Sequence, residues 1–243
     1  MMFFSDTVGE VFEAFSFLHI LLFIFTIIGI TLIIVFKAKI REYKYERRIA
    51  KGMALFALIW EFSLYAWKIG NGETELLQIL PIGLCGFTLF LGIVALYFKK
   101  FVLFEIGYFW VWGALASILF PDISYSYDRF RFYQFMIGHM FFFFMYMYMI
   151  FVYKWYPTWK SLWKSVITLI IVSVVLAIIS NLTNENLMFM LESGGTPLSI
   201  FEGYGYAVYL LGVVSLSAGI ILLWFTPFLI VEKLHKKQLQ QKN

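Results

Sequence analysis

Long apolar stretches alternate with short polar ones along the whole chain. The apolar runs fall at 16–36, 51–68, 76–98, 102–120, 133–153, 162–182 and 206–231. Each is roughly 18–25 residues, enough to cross about 30 Å of hydrocarbon as an α-helix rising about 1.5 Å per residue. A membrane β-barrel would instead show alternating segments of about ten residues. Backbone groups in lipid must be paired within their own segment, so the pattern predicts helices. The expected fold is all-α: a polytopic membrane bundle of about seven transmembrane helices, forming one transmembrane domain over 1–243. Pro81 and Gly83 should bend or loosen the third helix.

Charge sets the orientation. The first connection carries Lys37, Lys39, Arg41, Lys44, Arg47, Arg48 and Lys51; the third, Lys99 and Lys100; the fifth, Lys154, Lys160 and Lys164; the tail, Lys233, Lys236, Lys237 and Lys242. Of the 19 Lys and Arg residues, only Lys68, Arg129 and Arg131 fall on the other side. Basic loops resist translocation, so the rich side is expected in the cytoplasm and the N-terminus outside. Asp6, Glu10 and Glu13 precede the first run where a signal peptide would carry positive charge, so that segment is expected to be retained. The stretch 41–48 reads as a cytoplasmic helix against anionic lipid. Trp67, Tyr97, Trp155 and Trp159 suit the headgroup level. The outer connection 183–205, with Gly194, Gly195 and Pro197, has no basic residue and has room for a short interfacial helix around 187–192.

Composition removes several classes. The chain is 62% hydrophobic and 14% charged, too little polar surface to cover a soluble globule. The net charge of +4 sits in clusters between apolar runs, which points to membrane lipid as the partner and not to nucleic acid. The sequence does not identify a protein partner. Cys85, the single cysteine, excludes an intrachain disulfide and a Cys-rich metal site. No metal and no cofactor is expected.

Ionisable groups in hydrocarbon cost a few kcal/mol each, so those that remain are the best functional clues. They are His19, Glu61, Cys85, Glu105 and His139, joined by the polar Asn181. Counting from the expected span ends puts Glu61 about 10 Å, Cys85 about 13 Å and His139 about 9 Å below the outer face. His19 and Asn181 come close to that face, and Asp122, Asp128, Arg129 and Arg131 lie just above. Only Glu105 falls on the cytoplasmic side. A polar cavity in the outer half of the bilayer is the expectation, with Gly83, Gly86, Gly92, Gly107 and Gly113 allowing close helix approach. The run Phe141–Phe144 with Met145–Met149 reads as lipid contact and core. No lysine in the last run offers a retinal linkage, no phosphate-binding Gly-rich loop occurs, and no His-Glu-x-x-His appears.

The run Leu80-Pro81-Ile82-Gly83-Leu84-Cys85, with Phe130-Arg131-Phe132-Tyr133-Gln134-Phe135-Met136-Ile137-Gly138-His139, resembles the YwaF family of bacterial integral membrane proteins. Pro157-Thr158-Trp159-Lys160-Ser161, Asn181, Asn186-Leu187-Met188-Phe189-Met190 and His19 fit the same pattern. That family is similar to eukaryotic transmembrane protein 164, regarded as a phospholipid acyltransferase using a Cys and a His. The resemblance implies a multi-pass protein of the bacterial plasma membrane. His139 matches the histidine position; at the cysteine motif this chain has Ile82 and Gly83 where the pattern has Cys and His, and Cys85 stands one turn further on.

Two readings follow. In the first, Cys85 is a nucleophile for acyl transfer or hydrolysis on a membrane lipid, His139 its base and Glu61 or His19 the group that orients the imidazole. Substrate would be held by His19, Arg129, Arg131 and Asn181. In the second, the same cavity binds or transports a small amphiphile without catalysis. Haem ligation by His19 and His139 is a third option.

Overall fold

The computed structural model describes residues 2–193 and 197–240, with side chains described as far as Leu229. Gly194, Gly195 and Lys242 lie outside the described residues, and so do the side chains of Lys233, Lys236 and Lys237. The described chain is all-helical, apart from an isolated bridge between Val11 and Tyr125. Its helices are α1 (Phe17–Glu42), α2 (Glu46–Gly70), α3 (Leu76–Ile79), α4 (Leu84–Phe98), α5 (Phe101–Gly107), α6 (Trp112–Leu119), α7 (Phe130–Phe151), α8 (Trp159–Thr183) and α9 (Tyr206–Gln240). Among the described residues, α1, α2, α7, α8 and residues 206–229 of α9 are long and apolar enough to cross a membrane. The pair α5 and α6 would make a sixth span, bent by 47°.

Two expected spans are broken. The run 76–98 divides into α3 and α4 around Leu80–Gly83, where Ile82 N–H donates to the Leu80 carbonyl at 2.8 Å in a tight turn. Pro81 supplies no N–H and pushes Leu80 out of the helical region, to φ −65 and ψ 149. Gly83, at φ −149 and ψ 163, then precedes a new helix start. The run 102–120 breaks at Tyr108–Val111, four consecutive residues no more than 2% exposed. Helix α5 ends at Gly107 and α6 starts at Trp112, so these four residues form a buried turn between them. The stretch 41–48 is a corner, not a helix: α1 ends at Glu42, Tyr43 is extended, and α2 begins at Glu46.

The chain forms two compact units, Met1–Trp155 and Tyr156–Asn243. At the centre of the first is α7, packed against α1, α2, α4 and α6. Its run of Phe142, Phe143 and residues 145–150 is buried and forms core, while Phe141 and Phe144 are half-buried. Tyr146 fits between α4 and α5, where Gly92 and Gly107 leave space; a methyl on Gly107 would lie 1.9 Å from the Tyr146 hydroxyl. That hydroxyl donates to the Thr88 carbonyl at 2.9 Å. Gly29 accommodates the Phe144 ring in the same way.

In the second unit, Pro157 precedes a capping box that starts α8. Ser161 N–H donates to Thr158 Oγ1 at 3.2 Å, and Thr158 N–H to Ser161 Oγ at 2.9 Å. Asn184 ends α8 in the left-handed conformation. The connection that follows holds two 3-10 turns, Leu187–Phe189 and Pro197–Tyr204. It is fixed by Leu187 N–H on Ser180 Oγ (3.1 Å) and Tyr209 O–H on the Phe189 carbonyl (2.6 Å).

Candidate functional site

On α2, Ala50, Ala54 and Ala57 are buried and lie on one face by helical spacing. Glu61, Tyr65 and Lys68 continue that face. Tyr65 O–H donates to Glu61 Oε1 at 2.8 Å, and Glu61 is within electrostatic range of Arg131, Lys68 and Cys85. A carboxylate tied to a phenol and facing two cations has what it needs to stay inside a membrane.

On α7, three residues form a column. The Arg131 guanidinium lies 5.4 Å from the Phe135 ring centroid, and that ring lies 4.2 Å from the His139 ring. Arg131 Nη1 also donates to Gln134 Oε1, while the Gln134 carbonyl accepts from Trp60 Nε1 at 3.0 Å and ties α7 to α2. His139 Nδ1 lies 2.8 Å from the Phe135 carbonyl. A carbonyl only accepts, so Nδ1 carries the proton and Nε2 carries the lone pair. No other hydrogen bond of His139 occurs among the described residues.

Cys85 is the second residue of α4, immediately after the Pro81–Gly83 break. It hydrogen-bonds with the Ser117 side chain on α6. Gly113 leaves room for it: a methyl there would sit 3.9 Å from the Cys85 sulfur. Gly86 is obligatory for the break, because any Cβ would come within 2.4 Å of the Pro81 carbonyl oxygen. The first N–H groups of α4 have no acceptor within the helix, as at every helix start. Cys85 and His139 share no hydrogen bond; their partners are Ser117 and Phe135.

His19 is 2% exposed and fully engaged. Phe15 N–H donates to Nδ1 at 2.9 Å, so Nε2 holds the proton and donates to the Ile118 carbonyl at 2.7 Å. Neither nitrogen is left for a ligand or for a haem iron. Arg129, 6% exposed, pairs with Asp128 at 2.5 Å and donates from Nε to the Thr7 carbonyl at 2.9 Å. The N-terminal segment is held there as a strap. Asp128 accepts from Glu10 N–H (3.2 Å), Tyr125 O–H donates to the Asp6 carbonyl (2.8 Å), and Asn71 bridges Phe4 and Asp6. Asn181 belongs to the second unit, where its amide donates to the Ala177 carbonyl at 2.8 Å and reaches Tyr206 Oη at 3.4 Å. Glu105 is 4% exposed on α5.

An apolar cleft of about 390 Å³ opens between Phe4, Phe130 and the Ser63, Ala66, Trp67, Gly70 edge of α2. That edge is opposite the Glu61 face by helical spacing, and none of the expected site residues lines it. Among the described residues, no group of three or more His, Cys, Asp or Glu side chains could hold a metal. Sequence reasoning passed over Ser117, Tyr65, Gln134 and Lys68. Tyr65 and Gln134 had a signal, one turn from Glu61 and Arg131; a lone serine such as Ser117 had none.

A family model named TMEM164 family matches residues 14–226, most of the chain and every helix with a site residue. The chain belongs to the TMEM164 family. The sequence resemblance pointed to the neighbouring YwaF family, itself similar to transmembrane protein 164; the match is to the TMEM164 family. No curated protein and no solved structure matches. The TMEM164-family match, with its long apolar helices, makes this a multi-pass membrane protein.

Proposed function

We propose that this TMEM164-family protein catalyses acyl transfer or hydrolysis on a phospholipid in the outer half of the plasma membrane. The distribution of Lys and Arg, which predicts an N-terminus outside, supports that address. Cys85 is the nucleophile, His139 the base, Glu61 the charge that holds Arg131, and Arg131 the group that receives the lipid phosphate. His139 Nε2 takes the thiol proton; the thiolate attacks the ester carbonyl and forms a thioester; the leaving alcohol recovers the proton from Nε2. An acceptor alcohol or water then reverses the sequence. The first N–H groups of α4 are suited to the oxyanion.

One observation carries this reading: of the two histidines on α1 and α7, His139 alone keeps a ring nitrogen able to accept a proton. Catalytic hydrogen bonds commonly close only when substrate is bound, so separate resting partners for Cys85 and His139 are compatible with it. A second reading, binding of an amphiphile, moves from the expected polar cavity to the apolar cleft beside Trp67, which none of the expected site residues lines.

The test uses the purified protein in nanodiscs with phospholipid labelled in its acyl chain. Hydroxylamine-labile label is expected on the wild type, with none on Cys85→Ala. In His139→Ala the labelling rate should fall about 10²–10⁴-fold. Turnover retained by a folded Cys85→Ala protein removes the catalytic reading.

A further inference from the structure

At the other end of the first unit, three stretches of chain bring their cations to one corner. Arg47, at the start of α2, is the anchor: Nη2 donates to the Tyr97 carbonyl at 2.7 Å, and Nη1 to the Leu96 carbonyl at 3.2 Å and to the Tyr153 hydroxyl. The end of α4 and the residues after α7 are thereby joined to α2. Lys99 adopts φ +55, and Lys100 N–H returns to the Ala95 carbonyl at 2.9 Å, which turns the chain sharply and leaves both lysines exposed.

Among the described residues, Lys51, Lys99 and Arg48 lie over aromatic rings and not within ion-pair distance of a carboxylate. Lys51 Nζ lies 5.1 Å from the Tyr97 ring centroid, Lys99 Nζ 4.8 Å from that of Tyr153, and the Arg48 guanidinium 4.5 Å from that of Tyr45. None of these cations makes an ion pair among the described residues. Glu46, the nearby carboxylate, accepts from Tyr148 O–H at 2.8 Å. Tyr153 offers no negative charge either: burial and Glu46 hold its phenol above its ordinary range, so it stays a neutral hydroxyl. A cation over a ring face still presents its remaining N–H groups to an anion.

We infer that this corner binds the headgroup phosphate of an anionic phospholipid in the adjacent leaflet. A lipid is favoured over a soluble anion because Tyr43, Tyr45 and Phe98, 51%, 40% and 61% exposed, surround the cations where apolar helices end. Aromatic rings beside unpaired basic side chains are what the headgroup layer accepts. The surface is distinct from the Cys85 and His139 residues and stands whether or not they are catalytic.

The experiment reconstitutes the full chain in nanodiscs containing phosphatidylglycerol and phosphatidylcholine, then measures retained lipid by native mass spectrometry. Phosphatidylglycerol should be enriched about tenfold or more over phosphatidylcholine, since each interfacial basic residue is worth roughly fivefold. K51Q/K99Q/K100Q should bring the ratio close to that of the bulk mixture, while K51R/K99R/K100R keeps it. If the triple variant does not fold, Lys100→Gln alone should lower enrichment roughly fivefold. Equal retention of the two lipids by the wild type overturns the inference. So does unchanged enrichment in the folded Gln variants, or enrichment abolished by millimolar inorganic phosphate.

Discussion

Two histidines of the same unit, His19 buried and His139 half-buried, differ in a single nitrogen. His19 is a strut: it receives the Phe15 N–H and donates to Ile118, so it stitches the strap and the end of α6 to the first turn of α1. His139 bonds only to its own helix, four residues back. Removing His19 strands a donor and an acceptor, so His19→Ala should cost about 2 kcal/mol or more of stability. His139→Ala releases only a carbonyl that its helix already uses and should cost about 1 kcal/mol or less. Thermal unfolding in detergent checks the contrast; equal losses would mean that His139, too, is a structural residue. Both histidines stood out in the sequence because charge in hydrocarbon is costly. Their difference did not, since the groups that fix each tautomer are backbone atoms, and for His19 one of them is 99 residues away.

Among the helices, glycine placement decides which pairs come close. Gly107 and Gly83 look alike in the sequence. The Tyr146 hydroxyl occupies the space beside Gly107, whereas a Cβ on Gly83 would meet nothing within 4 Å. Gly107→Ala should therefore destabilise by about 1–3 kcal/mol through overpacking. Gly83→Ala should shift the unfolding midpoint little, since its extended backbone suits any residue. A Gly107→Ala protein as stable as the wild type would mean that Tyr146 does not fill the α4–α5 gap. The same contrast shows what hydropathy can read. The runs 51–68, 133–153 and 162–182 correspond to α2, α7 and α8 within a few residues. Helix α1 outruns its apolar stretch because Lys39 and Arg41 suit the negative end of the helix. The break at Pro81 was marked by proline chemistry. The break at Tyr108–Val111 had no mark, since no proline and no charged residue stands among those four.

For the whole molecule, the distribution of lysine and arginine sets the topology to be tested. Cys85 being the single cysteine, a Cys85→Ala background makes site-directed labelling clean. Lys44→Cys, exposed at the α1–α2 corner, should react with a membrane-impermeant maleimide only after cells are opened. Labelling in intact cells would reverse the orientation, and with it the leaflet assigned to Cys85 and to the basic corner. The polar residues of the expected cavity were legible in the sequence, but not their partners. What its groups bond to depends on packing among α2, α4, α6 and α7 that no linear pattern encodes.

The strap has a consequence for biogenesis. Thr7 meets Arg129 across 122 residues of sequence, and Glu10 meets Asp128 across 118. At synthesis rates of about 5–20 residues per second, the leading segment waits on the order of ten seconds for its anchor to emerge. Until then Phe3, Phe4 and Phe12 have no Phe130, Tyr133 or Phe132 to rest on. The nascent protein must therefore keep a greasy tail soluble, or shielded by the insertion machinery, before the last polar clasp shuts.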